Sequence, residues 1–131
     1  MSKFSAIEIS QLVALHPKVN NSKLFGLFER VHYSPTGSRI ESYRNYYSAA
    51  DAETLIRLSE IPDEAIVQHL SQCSELPLSQ QQDYRMDLCL SADHRFVAFQ
   101  VFRKKDDDFE AASKLRFLEG ELAQKFENIL A

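Results

Sequence analysis

Two neighbouring segments near the C-terminus alternate their side chains with a period of two residues. They run from Tyr84 to Leu90 and from Arg95 to Lys104, and only the four residues 91–94 join them. Such alternation is typical of β-strands, and so short a connection is typical of an antiparallel hairpin. In the second segment both alternating sets are largely apolar, which predicts a strand covered on both faces. The pair therefore predicts the centre of an antiparallel sheet.

The residues after this hairpin change to a helical spacing. From Asp107 onward, apolar residues recur at intervals of three and four, which predicts a helix of about 22 residues over the sheet. The apolar positions are Ala111, Leu115, Leu118, Leu122, Phe126 and Ile129. The acids at its start would oppose the helix dipole.

The N-terminal residues carry a second helical pattern. Ser5 followed by Glu8 forms a capping box, and apolar residues at helical spacing follow it, so a first helix is expected over residues 5–15. The His16-Pro17 pair ends this helix, because the residue before a proline is pushed out of the helical region.

A first hairpin is expected between residues 24 and 47. Its arms are Leu24 to Tyr33 and Arg39 to Tyr47, and the Pro and Gly of residues 34–38 suit the turn between them. The return arm is rich in tyrosine, which favours strands. A helix would also fit the spacing of Leu24, Leu27, Phe28 and Val31, but it would leave the turn and the tyrosine-rich arm without a pairing partner.

The next segment, residues 49–60, is ambiguous. Ser48 with Asp51 resembles an N-cap and slightly favours a helix, whereas the run from Thr54 to Leu58 also suits a short strand. Pro62 followed by two acids then predicts the start of a middle helix.

These elements define one domain. The chain has 131 residues, 44% hydrophobic and 26% charged, with a net charge of −4. We predict a single α+β domain over residues 1–131, with an antiparallel sheet of four or five strands in two hairpins packed against helices. The order is α-β-β-(β or α)-α-β-β-α.

Glu8 interrupts any signal peptide and no apolar run could span a membrane, so a cytoplasmic location without membrane contact is expected.

Catalytic and metal-binding patterns are weak. His69, Cys73, Cys89 and His94 form the best metal set, but their spacing matches no zinc motif, and His69 and Cys73 continue a packing face. Cys89 could be a nucleophile with His94 or His69 as its base. However, Cys89 lies in the middle of a strand, where no helix N-terminus or glycine-rich turn activates it. We therefore predict no catalytic residue, no metal and no cofactor, and a chain that is not an enzyme.

Two binding functions stay open. The first hairpin interleaves bases and aromatic rings, which is a means of gripping single-stranded nucleic acid. The residues concerned are Arg30, His32, Tyr33, Arg39, Tyr43, Arg44, Tyr46 and Tyr47. Alternatively, the edges of the hairpins could accept an added strand from a partner protein. The acidic net charge favours the protein partner.

In its order of elements the chain resembles the small acidic chaperones of type III secretion. The resemblance is best over residues 54–131, where Thr54 to Leu58 would be a third strand and the turn 61–64 would lead into the middle helix. Residues 84–90 and 95–103 would be the closing strands, and Leu115 to Leu130 the final helix. The tyrosine- and arginine-rich first hairpin departs from the family's usual apolar and acidic one.

The resemblance implies a homodimer and a protein partner. Dimer contacts would come from the middle helix, at Ile66, Leu70 and Cys73. An unfolded segment of a secreted effector would bind apolar patches of the first helix and first hairpin. The expected partner-binding residues are Leu12, Leu27, Phe28 and Val31. Binding of this kind consists of holding a chain and needs no nucleotide or metal.

Overall fold

A computed structural model describes the backbone of residues 5–6, 20–23, 30–72 and 83–130, and the side chains of residues 34–70 and 83–130. The elements in these ranges are β1 (Ser5–Ala6), β2 (Asn20–Lys23), β3 (Arg30–Tyr33), β4 (Ile40–Tyr47), α1 (Ala49–Glu60), α2 (Asp63–Gln72), β5 (Tyr84–Ser91), β6 (Phe96–Lys105), β7 (Asp108–Ala111), β8 (Arg116–Glu119) and α3 (Glu121–Leu130).

The main sheet is antiparallel and has the strand order β1-β4-β5-β6, with β7 and β8 both paired to the far side of β6. The predicted second hairpin is confirmed, because β5 and β6 pair in register with Leu88 opposite Phe99. The first six residues of β6 are all buried, as expected for a strand covered on both faces.

The helices pack on one face of the sheet. Met86 and Leu88 of β5 and Phe99 of β6 point to this face, and Leu55 of α1 and Phe126 of α3 meet them in one apolar core. The rings of Phe99 and Phe126 are stacked, with centroids 4.6 Å apart. The predicted α+β class, an antiparallel sheet packed against helices, is confirmed.

The prediction of one long C-terminal helix from Asp107 is wrong. Residues 108–111 and 116–119 are strands, and only Glu121–Leu130 is helical. The ten-residue strand β6 needs hydrogen-bond partners along its outer edge, and β7 and β8 supply them. Leu118 is buried in the core as a strand residue, so its helical spacing from Leu122 was not diagnostic.

The predicted pairing within the first hairpin is also wrong. Strand β4 pairs with β5 along its whole length, whereas β3 pairs with β2 in a separate two-stranded sheet. Ser5 and Ala6, the expected start of the first helix, are extended and lie opposite Arg44 and Tyr43. The rest of that helix, residues 7–15, and residues 24–29 of the hairpin lie outside the described ranges.

Residues 49–60 form the helix α1, as local propensity slightly favoured. The side chain of Ser48 accepts a hydrogen bond from the Asp51 N–H, so the N-cap is confirmed. The third strand that the family resemblance implied at Thr54 to Leu58 is therefore wrong. The middle helix is confirmed as α2, and the Pro62 carbonyl accepts hydrogen bonds from its first turn. Of the helices that the structure describes, none is long and apolar enough to cross a membrane.

Candidate functional site

The turn between β5 and β6 meets the last helix at one side-chain contact. Nδ1 of His94 lies 2.9 Å from Oε1 of Glu127, and a carboxylate can only accept, so the imidazole donates. His94 has a φ of +61°, an uncommon backbone conformation for a residue other than glycine. The contact therefore joins the sheet to α3 at an exposed position.

Asp93 holds this turn in place. It accepts hydrogen bonds from Ser91 Oγ at 2.6 Å and from Thr36 Oγ1 at 2.7 Å, and its own N–H donates to Ser38 Oγ at 3.0 Å. The bonds that its carboxylate accepts, first of all that from Ser91 and then that from Thr36, hold the pKa of the Asp93 carboxyl below its usual range. Hydrogen bonds therefore join the loop at residues 34–38 to the turn at residues 91–94, although the two are distant in sequence.

Two adjoining cavities share His94 and Glu127. One has a volume of about 280 Å³ and is lined by Glu41 and Tyr43 of β4, by residues 90–92 and by the shared pair. The other has a volume of about 310 Å³ and continues along α3, past Gln124 and Asn128. We call the two together the His94 cleft. Each cavity lies near the lower end of the usual volume range for small-molecule sites.

The β4 wall of the His94 cleft carries a hydrogen-bonded pair of its own. The Tyr43 hydroxyl donates to Oε2 of Glu41. This bond and partial burial raise the pKa of Tyr43 to about 12, and the charges of Glu41 and Glu127 add to the effect. Carboxylates from both walls thus act on one phenol, and a cation placed between these walls would be attracted to both.

Leu90, which is buried, and the small residue Ala92 supply an apolar part of the lining, which we call the floor of the cleft. Carboxylates beside an apolar floor suit a group with an aliphatic stem and a positively charged end. This is the binding chemistry that the cleft offers.

The three described residues of the best metal set lie in different environments. Cys89 is fully buried, whereas His94 is exposed and bound to Glu127. His69 is half-buried on α2, and Cys73 lies outside the described residues. No group of three or more potential metal ligands gathers within the described part of the chain.

Cys89 is also a poor nucleophile. Its thiol lies 3.3 Å from Ser42 Oγ on the sheet face opposite the helices, and burial raises its pKa to about 12. The reactive thiolate is therefore scarce at neutral pH.

The basic and aromatic residues of the expected first hairpin are divided between different environments. Tyr47 is buried in the core, and Arg44 forms an ion pair with Asp87. Tyr46 lies near the ring of Phe109, with centroids 6.3 Å apart. The guanidinium of Arg85 lies over the rings of both Phe102 and Phe109, at 4.7 and 4.6 Å. By strand alternation, Arg44, Tyr46 and this stacked group share the face opposite the helices.

The family resemblance implied partner-binding and dimer contacts at seven residues. Four of them lie outside the described residues: Leu12, Leu27, Phe28 and Cys73. The backbone of Val31 lies in β3, opposite Ser22.

Ile66 and Leu70 are buried in the core of the single chain, so they are packed against its own residues. The large hydrophobic residue that α2 exposes is Val67, at 39%.

Sequence reasoning did not find the His94 cleft. It considered His94 only as a metal ligand or a catalytic base, and it gave Glu41 and Glu127 no role. The only local signal was a histidine at the last position of a four-residue hairpin turn. Nothing in the sequence pairs His94 with a glutamate 33 positions away.

Comparison of the chain with protein-family models, with curated proteins and with solved structures found no match.

Proposed function

We propose that this chain is a non-enzymatic protein-binding module. Its specific form would be a small acidic cytoplasmic chaperone that holds an unfolded segment of a secreted effector. The proposal rests on one structural observation, the outer edge of β4. The resemblance in element order adds no support, because residues 54–58 are helical and residues 108–111 and 116–119 are strands.

Strand β4 is eight residues long and pairs with β5 at every position. On its other side, the described residues pair with it only at Tyr43 and Arg44, through the two residues of β1. In an antiparallel strand, alternate residues point their backbone N–H and C=O groups to opposite sides. Among the described residues, the outward groups of β4 have a strand partner only where β1 lies, so a partner strand would add to this edge beside β1 or in its place.

An extended partner segment would supply the missing ladder. Main-chain hydrogen bonds provide affinity in this mode, and pockets beside the edge select alternate side chains. The antiparallel contact of β1 is a precedent for such pairing on this same edge. An unfolded segment would become ordered on binding and lose conformational entropy, so the complex would form without nucleotide or metal.

The chemistry of Cys89 removes one catalytic alternative, nucleophilic catalysis by this thiol. It is the cysteine that the sequence suggested as a nucleophile, and its fully buried thiol with a raised pKa suits packing.

The proposal includes a homodimer. Because Ile66 and Leu70 are used inside the chain, the contact on α2 would involve its outer side, around Val67. Light scattering should give twice the chain mass for the wild type and the single mass for Val67→Glu. A monomeric wild type would remove the dimer from the proposal, and a dimer unaffected by Val67→Glu would place the contact elsewhere.

The test of the function is co-expression with the product of the neighbouring gene, followed by amide hydrogen exchange of the purified complex. We expect alternate amides of β4 to gain protection on binding, while those already bonded to β5 stay protected. Failure to form a complex would contradict the chaperone function. Protection that appears only on β7 and β8 would contradict the assignment to β4.

Nucleic-acid binding is the second candidate, favoured by the cluster of Arg44, Arg85, Tyr46 and the two phenylalanines on one sheet face. Asp87 forms ion pairs with both arginines, so it neutralises part of the positive charge of this cluster. Affinity for single-stranded oligonucleotides that falls steeply with salt would favour this candidate, whereas salt-insensitive capture of an apolar peptide would favour the chaperone.

A further inference from the structure

The two carboxylates of the His94 cleft come from opposite walls. Glu41 belongs to β4 and accepts a hydrogen bond from the Tyr43 hydroxyl, whereas Glu127 belongs to α3 and has Nδ1 of His94 within 3.0 Å of both carboxylate oxygens. A carboxylate has about four lone-pair sites, so these contacts do not use the full acceptor capacity of either residue. Among the described lining residues, these two carry the formal charge of the cleft.

The cleft also lies beside the edge to which the proposed partner strand would add. Residues directly opposite each other in an antiparallel pair project to the same face of the sheet. A partner residue opposite Glu41 would therefore project its side chain to the same side as Glu41, where the cleft opens.

The cavity beside Glu41, of about 280 Å³, has room for one long side chain. The stem of such a side chain would lie on Leu90 and Ala92, and its charged end would reach the carboxylates. Arginine matches this arrangement better than lysine, because its planar guanidinium presents five donors in a fork and can serve two carboxylates at once.

We propose that the His94 cleft is a specificity pocket for an arginine side chain of the bound partner segment. This proposal builds on the proposed protein-binding function, because it names the side chain that the β4 edge would select. The pocket would recognise charge and shape together, through Glu41 and Glu127 at its walls and Leu90 at its floor.

The probe is N-acetyl-arginine methylamide, titrated into the whole protein and followed by backbone amide NMR. The neutral isostere N-acetyl-citrulline methylamide is the matched control ligand. We expect saturable shifts at residues 90–94 and 124–128 with arginine, with dissociation constants in the millimolar range, roughly as for a single side chain. Citrulline should give no saturable shift, and about 0.5 M NaCl should weaken arginine binding because the contact is partly exposed.

Variants locate the site. Glu41→Gln and Glu127→Gln should each weaken arginine binding about tenfold, because each removes one charge-assisted acceptor. Glu53→Gln, an exposed glutamate on α1, is the matched control and should leave binding unchanged. Equal shifts with citrulline and arginine, shifts confined to another surface, or equal loss in Glu53→Gln would each overturn the proposal.

The comparison of arginine with citrulline uses the wild type alone, so it stands even if a variant fails to fold. It is also independent of the effector. If arginine does not bind the cleft while an effector segment still protects β4 amides, the pocket is wrong and the protein-binding function stands. If arginine binds while no effector complex forms, the choice of partner is wrong.

Discussion

Arg44 and Asp87 lie directly opposite each other in the β4–β5 ladder, and their side chains form an ion pair of 3.3 Å. Asp87 is 5% exposed at its side chain, and Arg85 contacts the same carboxylate oxygen at 3.2 Å. One nearly buried carboxylate therefore balances two arginines on the sheet face opposite the helices. Arg44 belongs to the Tyr/Arg-rich segment that suggested nucleic-acid binding. Its ion pair with Asp87 shows that it contributes to the packing of this sheet face.

Removing the charge of Asp87 should destabilise the fold. Breaking a fully buried ion pair costs about 3–5 kcal/mol, but both arginines here still reach water, so we expect about 2 kcal/mol for Asp87→Asn. Urea unfolding at neutral pH measures the change in unfolding free energy. Glu53→Gln should change it by less than about 0.5 kcal/mol. A loss of similar size in both variants would show that the ion pair contributes nothing specific.

The parts of the fold that the sequence predicted are those determined by local patterns. The β5–β6 hairpin has a strict alternation of side chains and a four-residue turn, and the start of α1 has its cap at Ser48. Both signals lie within a few residues of the element they specify. The element can therefore be predicted without knowledge of the rest of the chain.

The parts that could not be predicted depend on long-range pairing. The spacing of Leu115, Leu118 and Leu122 fits a helix, but the unpaired edge of β6 selects strands instead. Likewise β4 pairs with β5, which is some forty residues away, and not with the segment before it. The His94 cleft has the same origin, since His94, Glu41 and Glu127 meet only after the sheet and α3 have assembled.

Gly120 lies between β8 and α3 with a φ of +66°, and its carbonyl accepts a hydrogen bond from the Gln124 N–H. No atom lies within 4 Å of where a Cβ would be placed, so only the backbone conformation resists a larger residue. We expect Gly120→Ala to cost about 1 kcal/mol and Gly120→Asn clearly less, because asparagine tolerates this conformation.

Thermal or urea unfolding of the two Gly120 variants provides the measurement. Gly37→Ala is a second test of the same argument, since Gly37 also has a positive φ, of +86°, and open space for a Cβ. This variant should lose a similar amount of unfolding free energy. If the alanine and asparagine variants at position 120 are equally stable, the backbone argument fails.

Cys89 should make the protein less stable at alkaline pH. Burial raises its pKa from 9.0 to about 12 in the folded state. A raised pKa means that the stabilising contribution is complete below about pH 9 and is lost as the pH rises toward 12, because the unfolded chain releases the proton first. The loss is about 1.4 kcal/mol for each pH unit in that window.

The comparison is between the wild type and Cys89→Ala, by urea unfolding at about pH 9 and about pH 10.5. The wild type should lose up to about 2 kcal/mol more than the variant over this interval, whatever the variant costs at neutral pH. Tyr47 also has its pKa raised, from 10.0 to about 12, chiefly by burial, but it contributes equally to both proteins. Parallel pH profiles would show that the thiol ionises normally in the fold.

His94 adopts its positive φ although it is not a glycine, and the backbone of an L-residue is less stable there. His94→Gly and His94→Ala both remove the imidazole and its hydrogen bond to Glu127, so their difference reports the backbone alone. We expect His94→Gly to be about 1 kcal/mol more stable than His94→Ala in urea unfolding. Because the imidazole is 61% exposed, losing its hydrogen bond should cost little, and His94→Gly should be close to the wild type. A glycine variant no more stable than the alanine variant would mean that the turn relaxes away from this conformation, and with it the geometry of the His94 cleft.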